Sequence, residues 1–371
     1  MKATIERAKL MNALSHIHGV VERRNTIPIL SNVLIQVKDN TLLLTATDME
    51  IAEIESIDCN SEQNGSVTTP AHMLHDIVKK LPDGSYVEIE SLEGRKLEIK
   101  SNRATFSLMC LPPEDFPDVN SGDFPEGFSM DVKDLKRLID KTLFSVSTEE
   151  TRYYLNGIYL HKVKDKEVDV MRAVATDGHR LSRLSANLPL NASGLDGVIV
   201  PRKTVIELRK LLDLEEGNIK IQISKTKIRF SVGLVVLTSK LLDGTFPDYE
   251  RVIPEGNTKE LYLNTLDFTE AVDRVSTVST DRTRAIKFVL KSGALTISAD
   301  NPEQGSAIEK MNVDYSGEDI EIGFNSRYLL DIAKQISGEE MKFLMADKLS
   351  PTIICDNGDE TALYVLMPMH V

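Results

Sequence analysis

The chain has 371 residues, 41% hydrophobic and 27% charged, with a formal net charge of −13; it is too long for one ordinary core and fits two or three domains of about 100–200 residues each. No run of about 18 apolar residues exists to cross a bilayer, and Met1-Lys2-Ala3-Thr4-Ile5-Glu6 has no apolar stretch of signal-peptide type, so the expected location is the cytoplasm with no membrane partner. Cys59, Cys110 and Cys355 form neither a C-x-x-C pair nor a disulfide framework and are expected to be buried fillers; the acidic balance argues against a nucleic-acid partner unless the basic residues are concentrated in one place.

In chain order, a strand over 3–5 leads into a helix over 6–24 with Leu10, Leu14, Ile17 and Val21 on one face. Strands follow over 32–37, 42–45, 51–57 and 66–68, then a helix over 71–81 bearing Leu74, Ile77, Val78 and Leu81, then three more strands ending near Leu111. Lys38-Asp39-Asn40 and Glu93-Gly94 read as turns of antiparallel hairpins.

The segment 68–81 then recurs at 200–212 and at 324–336. In register, Leu74 aligns with Val205 and Leu329, Asp76 with Glu207 and Asp331, Ile77 with Leu208 and Ile332, and Lys79 with Lys210 and Lys334. Thr-Ala-Thr-Asp, Val-Ala-Thr-Asp and Ile-Ser-Ala-Asp place aspartates at 48, 177 and 300 with nearly the same offsets, and Phe116-Pro117-Asp118 returns as Phe246-Pro247-Asp248. Three similar domains follow, over 1–124, 125–255 and 256–371, joined by Pro- and Gly-containing stretches. Each holds two helices and about eight strands as two similar halves, so the fold class is α+β, with helices packed on antiparallel sheets.

The six helices, taken as 6–24, 71–81, 131–143, 201–212, 267–276 and 326–336, contain 17 Lys and Arg against 11 Asp and Glu, a balance of +6 that leaves −19 for the remainder. In the helix from Pro201, Arg202, Lys203, Arg209 and Lys210 fall within one sector while Val205, Leu208 and Leu212 lie opposite. The fifth helix, with Asp267, Glu270 and Asp273, does not follow the trend. An ordinary solvated face explains any one such helix. Repetition of the bias against an acidic remainder points to a basic surface that collects a phosphate backbone.

Several ordered motifs carry a resemblance: Pro28-Ile29-Leu30-Ser31-Asn32, Arg152-Tyr153-Tyr154-Leu155-Asn156-Gly157, Ala175-Thr176-Asp177-Gly178-His179-Arg180-Leu181, Val200-Pro201-Arg202-Lys203, Thr238-Ser239-Lys240, Phe246-Pro247-Asp248-Tyr249, Asn301-Pro302-Glu303-Gln304 and Met367-Pro368-Met369. Along its whole length the chain resembles the bacterial sliding clamps, the beta subunit of DNA polymerase III. The resemblance implies a homodimeric ring, two chains head to tail, that encircles duplex DNA without reading its sequence and raises polymerase processivity. DNA contacts would fall to Arg24, Tyr153, Tyr154, Arg202 and Lys203, to which the stripe adds Arg209 and Lys210.

A hydrophobic groove would take short linear peptides from the replicative polymerase alpha subunit, the clamp loader, other polymerases, mismatch-repair proteins and ligase. By resemblance it comprises Leu155, Thr176, Gly178, His179, Arg180 and Leu181, then Pro247, Arg251 and Val252, then Asn325, Tyr328 and Leu349, and last Val365, Met367, Pro368 and Met369. The dimer joint would set Phe106 and Leu108 against Thr277 and Val278, with charged contacts from His72, Arg103 and Glu303. Thr277, Gly305-Ser306-Ala307, Pro351 and His370-Val371 depart from the commonest residues of the family.

Catalysis is not expected. Asp177-Gly178-His179 lacks an accompanying nucleophile elbow, phosphate-binding glycine loops are absent, and His16-x-His18 and His72-x-x-His75 each offer only two ligands where zinc needs three or four. No cofactor or metal is therefore expected. An enzyme with a site near Asp177 and His179, and an adaptor indifferent to DNA, are the competing readings.

Overall fold

The computed structural model describes the chain apart from residues 24, 120, 121, 193, 280–283 and 304. The first third runs β1 (Lys2–Glu6), α1 (Arg7–Ile17), β2 (Asn32–Lys38), β3 (Thr41–Thr47), β4 (Ile51–Asp58), β5 (Asn60–Gln63), β6 (Gly65–Pro70), α2 (Ala71–Lys80), β7 (Tyr86–Leu92), β8 (Lys96–Ser101) and β9 (Ala104–Met109). The middle third runs β10 (Phe128–Asp131), α3 (Val132–Asp140), β11 (Gly157–Asp165), β12 (Val168–Thr176), β13 (Arg180–Asn187), β14 (Val198–Pro201), α4 (Arg202–Leu212), β15 (Asn218–Ile223), β16 (Lys227–Val232) and β17 (Val235–Lys240). The last third runs β18 (Lys259–Asn264), α5 (Thr265–Ser276), β19 (Ala285–Lys291), β20 (Ala294–Asn301), β21 (Gly305–Asn312), β22 (Ile320–Asn325), α6 (Ser326–Ala333), β23 (Glu340–Met345), β24 (Thr352–Asp356) and β25 (Asp359–Leu366). Two helices on antiparallel sheets in each third is the arrangement expected from the repeat.

Local chemistry accounts for the elements. Val33, Ile35 and Val37 on β2 and Leu42, Leu44 and Ala46 on β3 are buried at alternate positions, and Asp39 and Asn40, both at positive φ, close the two-residue hairpin between them. The aligned helix positions Leu74, Val205 and Leu329 are all buried. Asn264 and Asn325 cap α5 and α6, each side chain accepting from two backbone N–H groups of the first turn.

The end of the first helix differs from its expected place. The first helix stops at Ile17, seven residues before the expected end at 24, although Val21 is buried as its spacing foretold. Gly19 lies in the turn that follows, beside the Glu207 carboxylate, and a glycine there lowers helix propensity where the chain leaves the helix.

The sheets do not stop where the repeats do. By packing, the chain forms two units: Met1–Lys136 with Pro189–Ala192 and Lys203–Leu241, and Arg137–Leu188 with Ser193–Arg202 and Leu242–Val371. The first contains an eight-stranded sheet, β10-β15-β16-β17-β4-β3-β2-β6, and a five-stranded one, β5-β1-β7-β8-β9. The second contains β14-β11-β12-β13-β25-β24-β23-β18 and the four-stranded β21-β20-β19-β22. Each large sheet therefore runs through a repeat boundary, by β17 on β4 and by β13 on β25, and the middle repeat gives one half to each unit. Hydrogen bonding continues from one repeat into the next because the outer strand of each half meets another such strand instead of solvent.

Candidate functional site

Within the second unit, β13 brings Leu181 beside Val365 of β25. These two, with Leu155, Val174, Ile199, Phe246 and Tyr249, form an apolar cluster against which Tyr154, Tyr159, Leu242, Ile253 and Leu363 pack. The Tyr159 ring stacks on Phe246 with centroids 4.9 Å apart, and the Tyr249 hydroxyl lies 3.1 Å from His161 Nε2 and 3.3 Å from Arg172 Nη1, which fixes that ring. Leu155, Leu181 and Val365 of the expected groove belong to this cluster. Phe246, Tyr249, Val174 and Ile199 were missed; for the first two, the repeated Phe-Pro-Asp segment was the available signal.

The rim is polar and ordered. Asp177 Oδ1 accepts from the His179 and Arg180 backbone N–H groups at 3.0 Å each, and Thr176 Oγ1 accepts from Gly178 N at 3.1 Å. Gly178 has φ +88, a backbone conformation that favours glycine, with the Arg152 guanidinium close beside it. Arg180 reaches Asp177 at 3.1 Å, Asp331 at 2.8 Å and the Phe144 carbonyl at 2.6 Å, with its guanidinium 4.4 Å from the Tyr328 ring centroid. The His179 ring stacks near Tyr328, with centroids 6.2 Å apart. Burial raises the Tyr328 phenol above its ordinary pKa. Asn325 is spent on capping α6.

After β25 the chain tail crosses this rim. Met367 N donates to the His179 carbonyl and Met369 N to the Gly323 carbonyl, each at 2.9 Å. Met367 is exposed, and a cleft of about 200 Å³ opens between Leu349 and the segment from Pro368 to Val371. Pro247, Arg251 and Val252 are exposed around the short turn that holds Tyr249, with Arg251 paired to Asp248 at 2.7 Å. All the expected groove residues thus fall in one unit, some in the apolar cluster and others on its rim. The Asp177 carboxylate is committed to backbone N–H groups and to Arg180, not to the His179 ring.

The basic stripe on α4 is more neutral than expected. Lys203 pairs with Asp48 at 2.5 Å, Arg209 with Asp213 at 2.5 Å and Lys210 with Glu207 at 2.7 Å. Hydrogen bonds from Arg209 and from Lys136 hold the Asp213 carboxyl down to about 2. Arg202 is exposed, with no ion pair found among the described residues. Tyr153 is 52% exposed, whereas Tyr154 packs against the apolar cluster; Arg24 lies outside the described residues.

The residues expected at the dimer joint also divide. Phe106 is half-buried, but Leu108 is only 6% exposed and faces the interior of its own sheet, so it is not available as a surface contact. Strand alternation decides this: 104, 106 and 108 face inward while Thr105, Ser107 and Met109 face out, Met109 at 65% exposure. His72 is turned inward too, its Nε2 3.0 Å from the Val21 carbonyl oxygen. Arg103, Thr277 and Glu303 are exposed and Val278 is half-buried. Among the described residues β9 and β21 are edge strands, each hydrogen-bonded on one side only, and Ile308 of β21 is 67% exposed.

Three family models match in tandem: DNA polymerase III beta subunit, N-terminal domain over residues 1–120, central domain over 129–248 and C-terminal domain over 250–370. The chain is 47% identical to the beta sliding clamp of Caulobacter vibrioides over 372 residues, with all of both chains covered. It is 40% identical to that of Pseudomonas aeruginosa, again over both full lengths. Among solved structures, the sliding clamp of Bartonella birtlesii bound to griselimycin has 50% identity and a TM-score of 0.97, with both chains covered in full.

Proposed function

Since this chain belongs to the DNA polymerase III beta subunit family, the bacterial sliding clamps, and is a non-catalytic DNA polymerase processivity factor, we propose how it closes, what it grips and where its partners dock. Two copies join head to tail through the free edges of β9 and β21, with Phe106, Thr277 and Val278 nearby and Arg103 and Glu303 supplying charge at the rim. The two free edges and the outward Met109 and Ile308 support that joint. The closed dimer surrounds duplex DNA in the cytoplasm, contacting phosphates through Arg24, Arg202 and Lys203 and stacking through Tyr153. Contacts of that kind hold a backbone without reading bases, which sliding requires.

Polymerases and other replication and repair proteins dock over the buried apolar cluster of Leu155, Leu181, Phe246, Tyr249 and Val365, on the exposed apolar side chains of Val252, Leu349 and Met367 and the tail through Pro368 and Met369. This cluster carries the reading: it joins residues of the second repeat to Val365 of the third and lies beside an exposed methionine-bearing tail, a wall able to repack around different ligands. A Leu or Phe side chain leaving water for it gains roughly 1.5–3 kcal/mol. Two such anchors can supply a large part of the roughly 8 kcal/mol of a micromolar complex. The replicative polymerase alpha subunit, the loader, other polymerases, mismatch-repair proteins and ligase are the partners expected to carry such peptides.

Deleting Met367 to Val371 is expected to abolish binding of a labelled polymerase-tail peptide in a fluorescence titration while sedimentation still reports the dimer. Griselimycin, which binds the Bartonella protein, is expected to compete with that peptide on the full chain. Equal peptide affinity before and after truncation would move the docking site elsewhere.

A further inference from the structure

The first unit buries a cluster of ionisable groups that takes no part in the sites above. Glu53 and Glu55 stand two residues apart on β4, so both side chains leave the same face of the sheet. That strand packs against α1, whose last turn carries His16. His16 Nδ1 lies 2.9 Å from Glu55 Oε2. Glu53 is 0% exposed, and neither of its carboxylate oxygens has a hydrogen-bond partner. One ligand atom from each of His16, Glu53 and Glu55 lies within 4.8 Å of the others.

Two carboxylates and one imidazole in the interior leave an imbalance. The His16 contact satisfies Glu55 only, and Glu207 nearby is occupied by Lys210. Burial pushes the Glu53 carboxyl up to about 8, and even the neutral acid is a fully buried polar group with no hydrogen-bond partner. A cation placed between these donor atoms gives Glu53 the partner it lacks and is shared with Glu55. An imidazole nitrogen with carboxylate oxygens suits zinc and manganese and is a poor match for magnesium, which prefers oxygen and retained water. Bonds of about 2.0–2.2 Å require the three side chains to draw in by about 1 Å, within the reach of two Glu side chains.

We propose that His16, Glu53 and Glu55 form a site for one divalent transition-metal ion of the zinc or manganese class. The ion ties the end of α1 to β4. Because β4 is the strand that receives β17, the tie stands where the first repeat's sheet continues into the second. Its role is structural, and it is separate from the half-buried imidazoles of His18, His72 and His75, in which the His18 ring lies 4.4 Å from His72 and 4.6 Å from His75 between centroids.

The test uses the full chain, stripped with chelator and titrated with zinc chloride or manganese chloride by calorimetry, with thermal unfolding read in parallel. One ion per chain and a raised Tm are expected. Glu53→Gln, which keeps the shape of the side chain, and His16→Gln are each expected to weaken binding by roughly 100-fold or more, as loss of a ligand should exceed loss of an outer-shell partner. His75→Ala is expected to leave it unchanged. Should the Glu53 or His16 variants not fold, the visible spectrum of the Co²⁺-loaded wild type decides, with d–d bands of a nitrogen- and oxygen-ligated ion expected. The proposal is overturned by no saturable one-per-chain binding, by undiminished binding in Glu53→Gln, by loss of binding in His75→Ala, or by a featureless cobalt spectrum.

Discussion

Arg180 is only 9% exposed, yet its guanidinium meets two carboxylates, a backbone carbonyl and two aromatic rings. Both acids, Asp177 and Asp331, are themselves largely shielded, so their attraction is weakly screened. Arg180→Ala is therefore expected to cost about 1.5–3 kcal/mol in urea unfolding and to weaken peptide capture by freeing Tyr328 and His179. Arg180→Lys is expected to restore only part, because an ammonium cannot span several acceptors as a planar fork does. An unfolding midpoint unchanged in the alanine variant would mean that these contacts are offset by the burial of the charge. The sequence placed Arg180 in the site by resemblance; its partner Asp331 stood out only as a repeat position, since 151 residues separate the two.

At the scale of an element, α4 separates pattern from effect. Its sequence places four cations in one sector, and the fold then supplies acids to three of them from β4's preceding turn and from α4's own Glu207 and following Asp213. Helical periodicity reports direction but not which groups approach from other segments. Arg202→Glu is expected to reduce the steepness of the logarithmic salt dependence of DNA binding by about 0.9, one phosphate contact's worth. Arg209→Gln, already paired with Asp213, is expected to change it far less. Equal effects from both would show that the intrachain pairs open when DNA arrives. Dimerisation, followed by sedimentation, should be unaffected in either variant.

For the whole molecule, closure rests on what two edge strands expose. Met109→Glu together with Ile308→Glu puts charge on outward positions of β9 and β21, where a single chain tolerates it because both side chains are in water. If those edges meet in the dimer, the charge is partly desolvated on assembly, and the dimer is expected to weaken by at least about 100-fold, roughly 2.7 kcal/mol. Analytical ultracentrifugation measures it, with circular dichroism to check folding. An unchanged dimer constant would place the joint on other surfaces. Leu108 is the wrong residue for this purpose, since a charge there enters its own domain's core.

By itself the sequence determined the threefold repeat, the fold class, the helices and hairpins, and through its ordered motifs the family. These depend on local periodicity, turn chemistry and self-similarity, all of which are written along the chain. Only the tertiary structure decided that the sheets run through the repeat boundaries, that α1 ends at Ile17 while Val21 is still buried, and that Leu108 and His72 turn inward. It also brought His16 to Glu53 and Glu55, which in the linear sequence read as ordinary charged residues of a strand. The physical reason is common to all of these: each depends on which distant segment occupies the space around a side chain, and that is fixed by packing among residues tens to hundreds of positions apart.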